Sequence, residues 1–333
     1  MLVVLAVVAG VGLTLRGGGG APAAPDRSDK AAGGREAGML ALAIEGGPKP
    51  MLAVVGAGGS EPAAMAIPVG LMLEVPGQGE ATTRRVADLP GPSLQVALSN
   101  TVGAWIGHYA VTDLARLGAL VDREGGLRVH LTDAVEVGNQ VMGPGDVTLS
   151  GTQLQVFLAL PQVNTFTRWE IVLGGLLASP PAFRPGDLTQ TDGAREVQAV
   201  LSAAAGAELQ TLPVQVAAAT VRVPKYGELD DLMAERFGVR RTPIPVIVQN
   251  GAGVPGLGEL VARSLIPRGF RITLSQNADS FDHATTEFIA IQNANIPEAR
   301  RARAALGVGH VTVTRVPSGI GDVVIVVGKD FTA

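Results

Sequence analysis

The sequence predicts an α/β protein built as two layered domains. Three observations predict it. Short apolar runs bounded by Gly and Pro alternate with stretches of helical spacing. The last part reads strand, glycine loop, helix, strand, with further strands behind it. A chain of 333 residues is long enough for about two cores.

The elements follow in order. Met39–Ile44 and Met51–Val55 are short apolar runs between breakers and predict strands. Met65–Val75 predicts one longer extended segment. In it Ile67, Val69, Leu71, Leu73 and Val75 alternate as a half-buried strand does. Ser93–Val102 has helical spacing. His108–Leu131 reads as strand, helix, turn and strand, with Gly125–Gly126 as helix stop and Asp122 bonding the amides of that turn. Leu149–Leu160 is a turn and a helix, and Arg168–Ala178 an apolar helix. The breaker-rich loop Ser179–Gly193 precedes a helix near Arg195–Ala205, a strand near Leu212–Ala218 and a helix at Glu228–Phe237.

"GVRRTPIP", Gly238–Pro245, marks a linker. Beyond it come a strand, Gly251-x-Gly253-x-x-Gly256, a helix, a second strand, "TTEFIAIQ", a helix opened by Pro297, and two closing strands. The glycine spacing is that of a dinucleotide loop. Such a site needs an acid at the end of the second strand, and here that strand ends in Ser275, Gln276 and Asn277. The loop is therefore read as a strand-to-helix turn that needs small residues.

Charge and composition exclude several classes. The net charge of −4, with no basic stripe and no helix-turn-helix signal, argues against nucleic acid as partner. The absence of cysteine excludes disulfides and thiolate metal sites. His108, His130, His283 and His310 lack metal-ligand spacing, and no GxSxG nucleophile elbow is present. Residues 1–34 carry an apolar run of 14, Leu2–Leu15, then Gly17–Gly20 and a Pro/Ala stretch. This predicts a signal-anchor or signal-peptide remnant with its linker. The expectation is a single-pass membrane protein with its body outside the cytoplasm, or a secreted one.

Pro243–Phe331 resembles the LytR C-terminal domain: "VQNGAGVPGLG", "RGF", "TTEFIAIQNANIPEARRARAALG" and "DVVIVVGKDF" occur in its order. Residues 35–238 resemble a LytR-CpsA-Psr domain. "IPVGLMLEVPG", "HYAVTDLARLGALVDREGGLRV" and "LSGTQLQVFLAL" carry that likeness, with His108, Tyr109, Val121, Asp122, Gly125, Gly126, Gly151 and Gln153 as frame residues. The resemblance implies a LytR-CpsA-Psr α/β/α layered domain with a mixed central sheet at 35–238. It also implies a linker at 239–243 and a small α/β domain at 244–333.

Active members of this family transfer glycopolymers from a polyprenyl pyrophosphate carrier to peptidoglycan, using magnesium, arginines and aspartates. A leaving pyrophosphate needs guanidinium contacts and a divalent cation to hold its charge. On that resemblance the charged positions fall on Ala37, Val69, Gly70, Ala159 and Pro161, and the position before His-Tyr on Gly107. Arg35, Arg84, Arg85 and Arg168 remain as anion-binding candidates, and no metal ligand remains. The expectation is a degenerate, noncatalytic member that binds a polyprenyl phosphate lipid or a cell-wall glycopolymer. No cofactor is expected on that reading. The alternative is a divergent phosphotransferase built on those arginines, and only there does magnesium enter.

Overall fold

The structure, a computed structural model, describes residues 38–46, 49–56, 61–160, 165–218, 221–314 and 319–332. The apolar run Leu2–Leu15, Arg35, Ala37 and Pro161 lie outside them. Contacts divide the chain into two compact units. The body comprises Arg35–Leu73 and Glu80–Thr242, and the second unit includes Glu74–Gly79 and Pro243–Ala333.

The body is built on a six-stranded mixed sheet, in the order Gln190–Thr191, His108–Asp113, Met39–Glu45, Met51–Gly56, Ala63–Ile67 and Glu208–Thr211. His108–Asp113 runs parallel to Met39–Glu45, and Glu208–Thr211 parallel to Ala63–Ile67, while Met51–Gly56 is antiparallel to both of its neighbours. The central strands are buried along nearly their whole length, because both sheet faces are covered. Leu40, Leu42, Ile44, Met51, Ala53 and Val55 pack into a core with Phe157, Trp169, Leu173 and Val197 from the helices Gly151–Ala159, Thr165–Ala178 and Ala194–Ala203. Side chains fill this layer. The helices Thr83–Ala87 and Gly91–Val102 also pack on Met39–Glu45. The product is helix, sheet, helix in three layers.

Local chemistry fixes the elements that carry the family's frame residues. Gly151 opens its helix within a capping box, in which Ser150 accepts from the Gln153 N–H and Gln153 accepts from the Ser150 N–H. The expected role of Asp122 is corrected. The Gly125 and Gly126 amides bond the backbone carbonyls of Asp122 and Val121, while the Asp122 carboxylate accepts from the Gly151 N–H at 2.7 Å. The extra negative charge is favourable there because it sits at a helix N-terminus.

A second correction concerns Met65–Val75. The strand Ala63–Ile67 stops before Pro68. The chain turns at Val69–Gly70, with Gly70 at φ +80, and Met72–Val75 starts a separate hairpin strand. Proline cannot donate to the ladder, and the left-handed glycine redirects the chain. Val69 is therefore a half-buried turn residue and does not share a strand face with Ile67.

One ion pair locks the end of the helix Leu114–Arg123. The Arg123 guanidinium donates to both Asp187 oxygens, at 2.8 and 2.7 Å, and to the Ala182 carbonyl. Chiefly through that pair, and with the Arg184 N–H adding a bond at 2.6 Å, the Asp187 carboxyl is held below its ordinary range. A carboxyl depressed in the folded state stabilises above its unfolded pKa and loses that contribution as pH falls through the folded one. Asp187→Asn is thus expected to lower the unfolding midpoint most at neutral pH. The gap from the parent should narrow as pH falls below about 4, the ordinary aspartate value. Urea titrations of both proteins across pH check this, and a gap independent of pH contradicts it.

The second unit holds a five-stranded sheet, in the order Phe270–Asn277, Ile244–Asn250, Val323–Val327, Glu287–Ala290 and His310–Val313. Ile244–Asn250 is parallel to both neighbours, and Glu287–Ala290 is antiparallel to Val323–Val327. The helices Leu257–Leu265 and Ile296–Leu306 pack on it, burying Val261, Leu265, Phe270, Phe288 and Ala302.

The expected single-pass membrane placement is corrected. Among the described residues no helix is long and apolar enough to cross a membrane, and the apolar helix Thr165–Ala178 has only 14 residues.

Candidate functional site

In open α/β sheets ligands bind beyond the carboxyl ends of the strands. In the body that end carries Glu45 and Asp113 on adjacent strands and the Val69–Gly70 turn two strands from Glu45. Glu45 and Asp113 are register partners at the ends of two parallel strands. Ile67, just before the turn, pairs with Leu52, and Leu52 with Ala43. Gly70 is exposed, and its N–H donates to Thr83 Oγ1 at 2.8 Å. The Thr83 N–H in turn bonds the Leu71 carbonyl at 2.9 Å. This seats the one-turn helix Thr83–Ala87, which carries the exposed Arg84 and Arg85, beside the turn.

Charges of both signs stand at this end: the acids Glu45, Asp88 and Asp113, the arginines Arg84, Arg85 and Arg116, and Arg222, whose backbone bridges to Leu71. Burial, then Asp88 and Asp113, raise the Glu45 carboxyl above its ordinary range. Asp113 caps the helix Leu114–Arg123, accepting from the Arg116 N–H at 2.7 Å and pairing with the Arg116 guanidinium. Its oxygens are therefore committed to the fold.

The structure separates the other sequence candidates. Arg35 and Ala37 lie outside the described residues. Ala159 is exposed near the end of its helix. Gly107, half-buried, has its carbonyl bonded by the Gln95 side chain at 3.0 Å. Arg168 is buried at 6% exposure, and burial lowers its pKa. Its guanidinium donates to the Leu160 carbonyl at 2.6 Å and lies 5.6 Å from the Phe157 ring centroid. It closes the end of the helix Gly151–Ala159. Glu45 and Asp113 escape sequence reading because strand pairing brings them together across 68 residues of chain.

A resident magnesium ion finds no set of three side-chain ligands among the described residues. Val69 and Gly70 supply no oxygen side chain, and Asp113 is already engaged. His108, His130 and His283 each pair with one carboxylate, of Asp192, Asp146 and Asp279.

In the second unit the glycine loop is folded on itself. The Asn250 amide donates to the Val254 carbonyl, and its oxygen accepts from the Gly253 N–H, each at 2.9 Å. Phe281 lies over Gly253 and His283 over Gly251. The Gly253 amide that would face a pyrophosphate is thus already taken.

Comparison with known proteins gives three results. Residues 243–331 match the family model described as LytR cell envelope-related transcriptional attenuator. No curated protein matches the sequence. Solved structures similar to this chain include a transcriptional regulator of Enterococcus faecalis, at 13% identity over 60% of this chain and 87% of that one, with TM-score 0.47. They include TagV of Bacillus subtilis, at 9% identity over 61% and 98%, with TM-score 0.48. They also include the LytR-CPS2A-psr family protein TagT with bound octaprenyl pyrophosphate lipid, at 13% identity over 60% and 90%, with TM-score 0.48. The chain pairs a mixed α/β body with a second α/β unit, of which residues 243–331 match the LytR C-terminal family model.

Proposed function

We propose that this protein is a noncatalytic member of the cell-wall glycopolymer machinery. Its body is a degenerate LytR-CpsA-Psr domain that binds a wall glycopolymer or its polyprenyl phosphate carrier without transferring it. One observation carries the reading. Where the sequence resemblance calls for an Arg-Asp pair, the chain has a turn of Val69 and Gly70, and neither residue carries a charged or oxygen-bearing side chain. A developing pyrophosphate charge would find neither a fixed guanidinium pair nor a cation site there. The LytR C-terminal match and the resemblance of the body support the biological setting. TagT, similar in fold, is described with octaprenyl pyrophosphate lipid and with LI-WTA.

The alternative, a divergent phosphotransferase, has one observation in its favour: Arg84 and Arg85 sit on the helix beside the turn. Arg168 does not help it, being committed to the Leu160 carbonyl.

The reading is tested by thermal shift of the whole chain with polyprenyl phosphates and with isolated wall glycans. A ligand that binds only the folded state raises the midpoint with its occupancy. At least one of them is expected to do so. The double substitution Val69→Arg with Gly70→Asp is expected to give no pyrophosphate release. Gly70 has open space around it but sits at φ +80, so the variant carries backbone strain and circular dichroism must first show that it folds. A lack of binding by every ligand, or activity in the double variant, counts against the reading.

A further inference from the structure

We infer that the LytR C-terminal unit carries a binding site for a neutral oligosaccharide, formed by the cleft at the end of its first two strands and by Phe281. The inference rests on this unit alone and not on the body's site.

The cleft has a volume of about 240 Å³, and all of its lining residues belong to one compact unit. Asn250, Ser275, Gln276 and Asn277 line it, and none of its lining residues is ionisable. Gln276 and Asn277 are exposed at the end of Phe270–Asn277, an edge strand of the sheet. Each carboxamide offers two donors and one acceptor oxygen with two lone pairs, the set that matches adjacent sugar hydroxyls. A neutral lining of this kind has no fixed cation for a phosphate or carboxylate and no fixed anion for an amine.

The loop that follows Asn277 brings the apolar component. It is held by backbone bonds from Ala278 to the Asn250 carbonyl, at 3.0 Å, and from His283 to the Gly251 carbonyl, at 3.2 Å. On it Phe281 stands 48% exposed, supported from beneath by the glycine loop, and Val254 beside Gly253 is 47% exposed. An exposed aromatic ring on a fixed loop, four residues beyond Asn277 of the cleft, suits the C–H face of a sugar ring while its hydroxyls meet the Gln276 and Asn277 amides. Two glycines of the loop make room for these side chains. A Cβ at Gly253 would stand 3.1 Å from Phe281, and one at Gly251 would stand 2.8 Å from the His283 ring, so both side chains can seat on the loop only because glycine is there. The motif that resembles a dinucleotide loop therefore works here as the floor of an aromatic platform.

The test titrates the full chain by calorimetry and ligand-observed NMR with chitotetraose, cellotetraose and maltotetraose. NAD, inorganic pyrophosphate and a neutral Gly/Ser octapeptide serve as counter-probes. At least one oligosaccharide is expected to bind with a Kd of about 1 mM or tighter. Phe281→Ala, and separately Gln276→Ala with Asn277→Ala, are each expected to weaken it about tenfold. Phe281→Tyr, which keeps the ring, is expected to retain binding, and circular dichroism confirms that each variant folds. Three results would overturn the inference. One is no oligosaccharide binding at about 10 mM. Another is binding indifferent to both sets of substitutions. The third is NAD, pyrophosphate or the peptide binding more tightly than any sugar and being lost in the same variants.

Discussion

Gly151→Ala is expected to cost the body about 3 kcal/mol of stability, the upper range for forcing extra volume into a packed contact. Gly151 lies where the helices Leu114–Arg123 and Gly151–Ala159 cross. A Cβ there would stand 2.1 Å from the Gly118 carbonyl oxygen and 2.6 Å from Asp122 Oδ2. Neither can yield cheaply, because one is backbone and the other holds the Gly151 N–H. Gly118 is less constrained, because the atom 2.5 Å from its would-be Cβ is the end of the flexible Gln155 side chain and the nearest backbone atom stands at 3.2 Å. The exposed neighbour substitution Thr152→Ala is the control, expected within about 0.5 kcal/mol of the parent. Urea unfolding followed by circular dichroism reads both. Equal stability of the Gly151 and Thr152 variants would remove the account of the crossing.

Gly309→Ala should have a similar effect on the second unit, for two added reasons. Gly309 sits at φ +74, where a side chain is strained, and its Cβ would stand 2.1 Å from the Thr286 carbonyl oxygen. Thr286 is fully buried and heavily committed. Its N–H and hydroxyl both bond Asp330 Oδ1 at 2.7 Å, and its carbonyl accepts from the His310 N–H. A loss of about 3 kcal/mol or more is expected. Gly307→Ala separates the causes. Gly307 has the same φ but nothing within 4 Å of its would-be Cβ, so it should lose only about 1–2 kcal/mol of conformational strain. Similar losses at both positions would show that the Thr286 contact is unimportant.

Much of the layered architecture is legible in the sequence because its signals are local. The runs Met39–Ile44 and Met51–Val55 become strands buried on both faces, and Gly125–Gly126 ends a helix where the pattern says it should. The segment Met65–Val75 misleads because its alternation continues across Pro68 and Gly70. The breakers override the apolar pattern there, and a one-residue shift in pairing would have changed every face. Asp122 misleads for a different reason. Its amide partner lies 29 residues on, at a helix end brought close only by the crossing of two helices. The candidate site is the least legible part. Whether Glu45 and Asp113 share an end of the sheet depends on strand direction and register, which no local motif encodes.

The central claim is that the body has kept the frame and lost the transfer chemistry. The most direct measurement is magnesium-dependent release of product from a polyprenyl pyrophosphate-linked sugar by the purified full chain, followed over many hours against a no-protein control. The account expects release indistinguishable from the control at every magnesium concentration. Turnover that requires magnesium, and that Arg84→Ala with Arg85→Ala abolishes in a protein still folded, would contradict it. That result would establish that the charges were relocated to the helix beside the Val69–Gly70 turn.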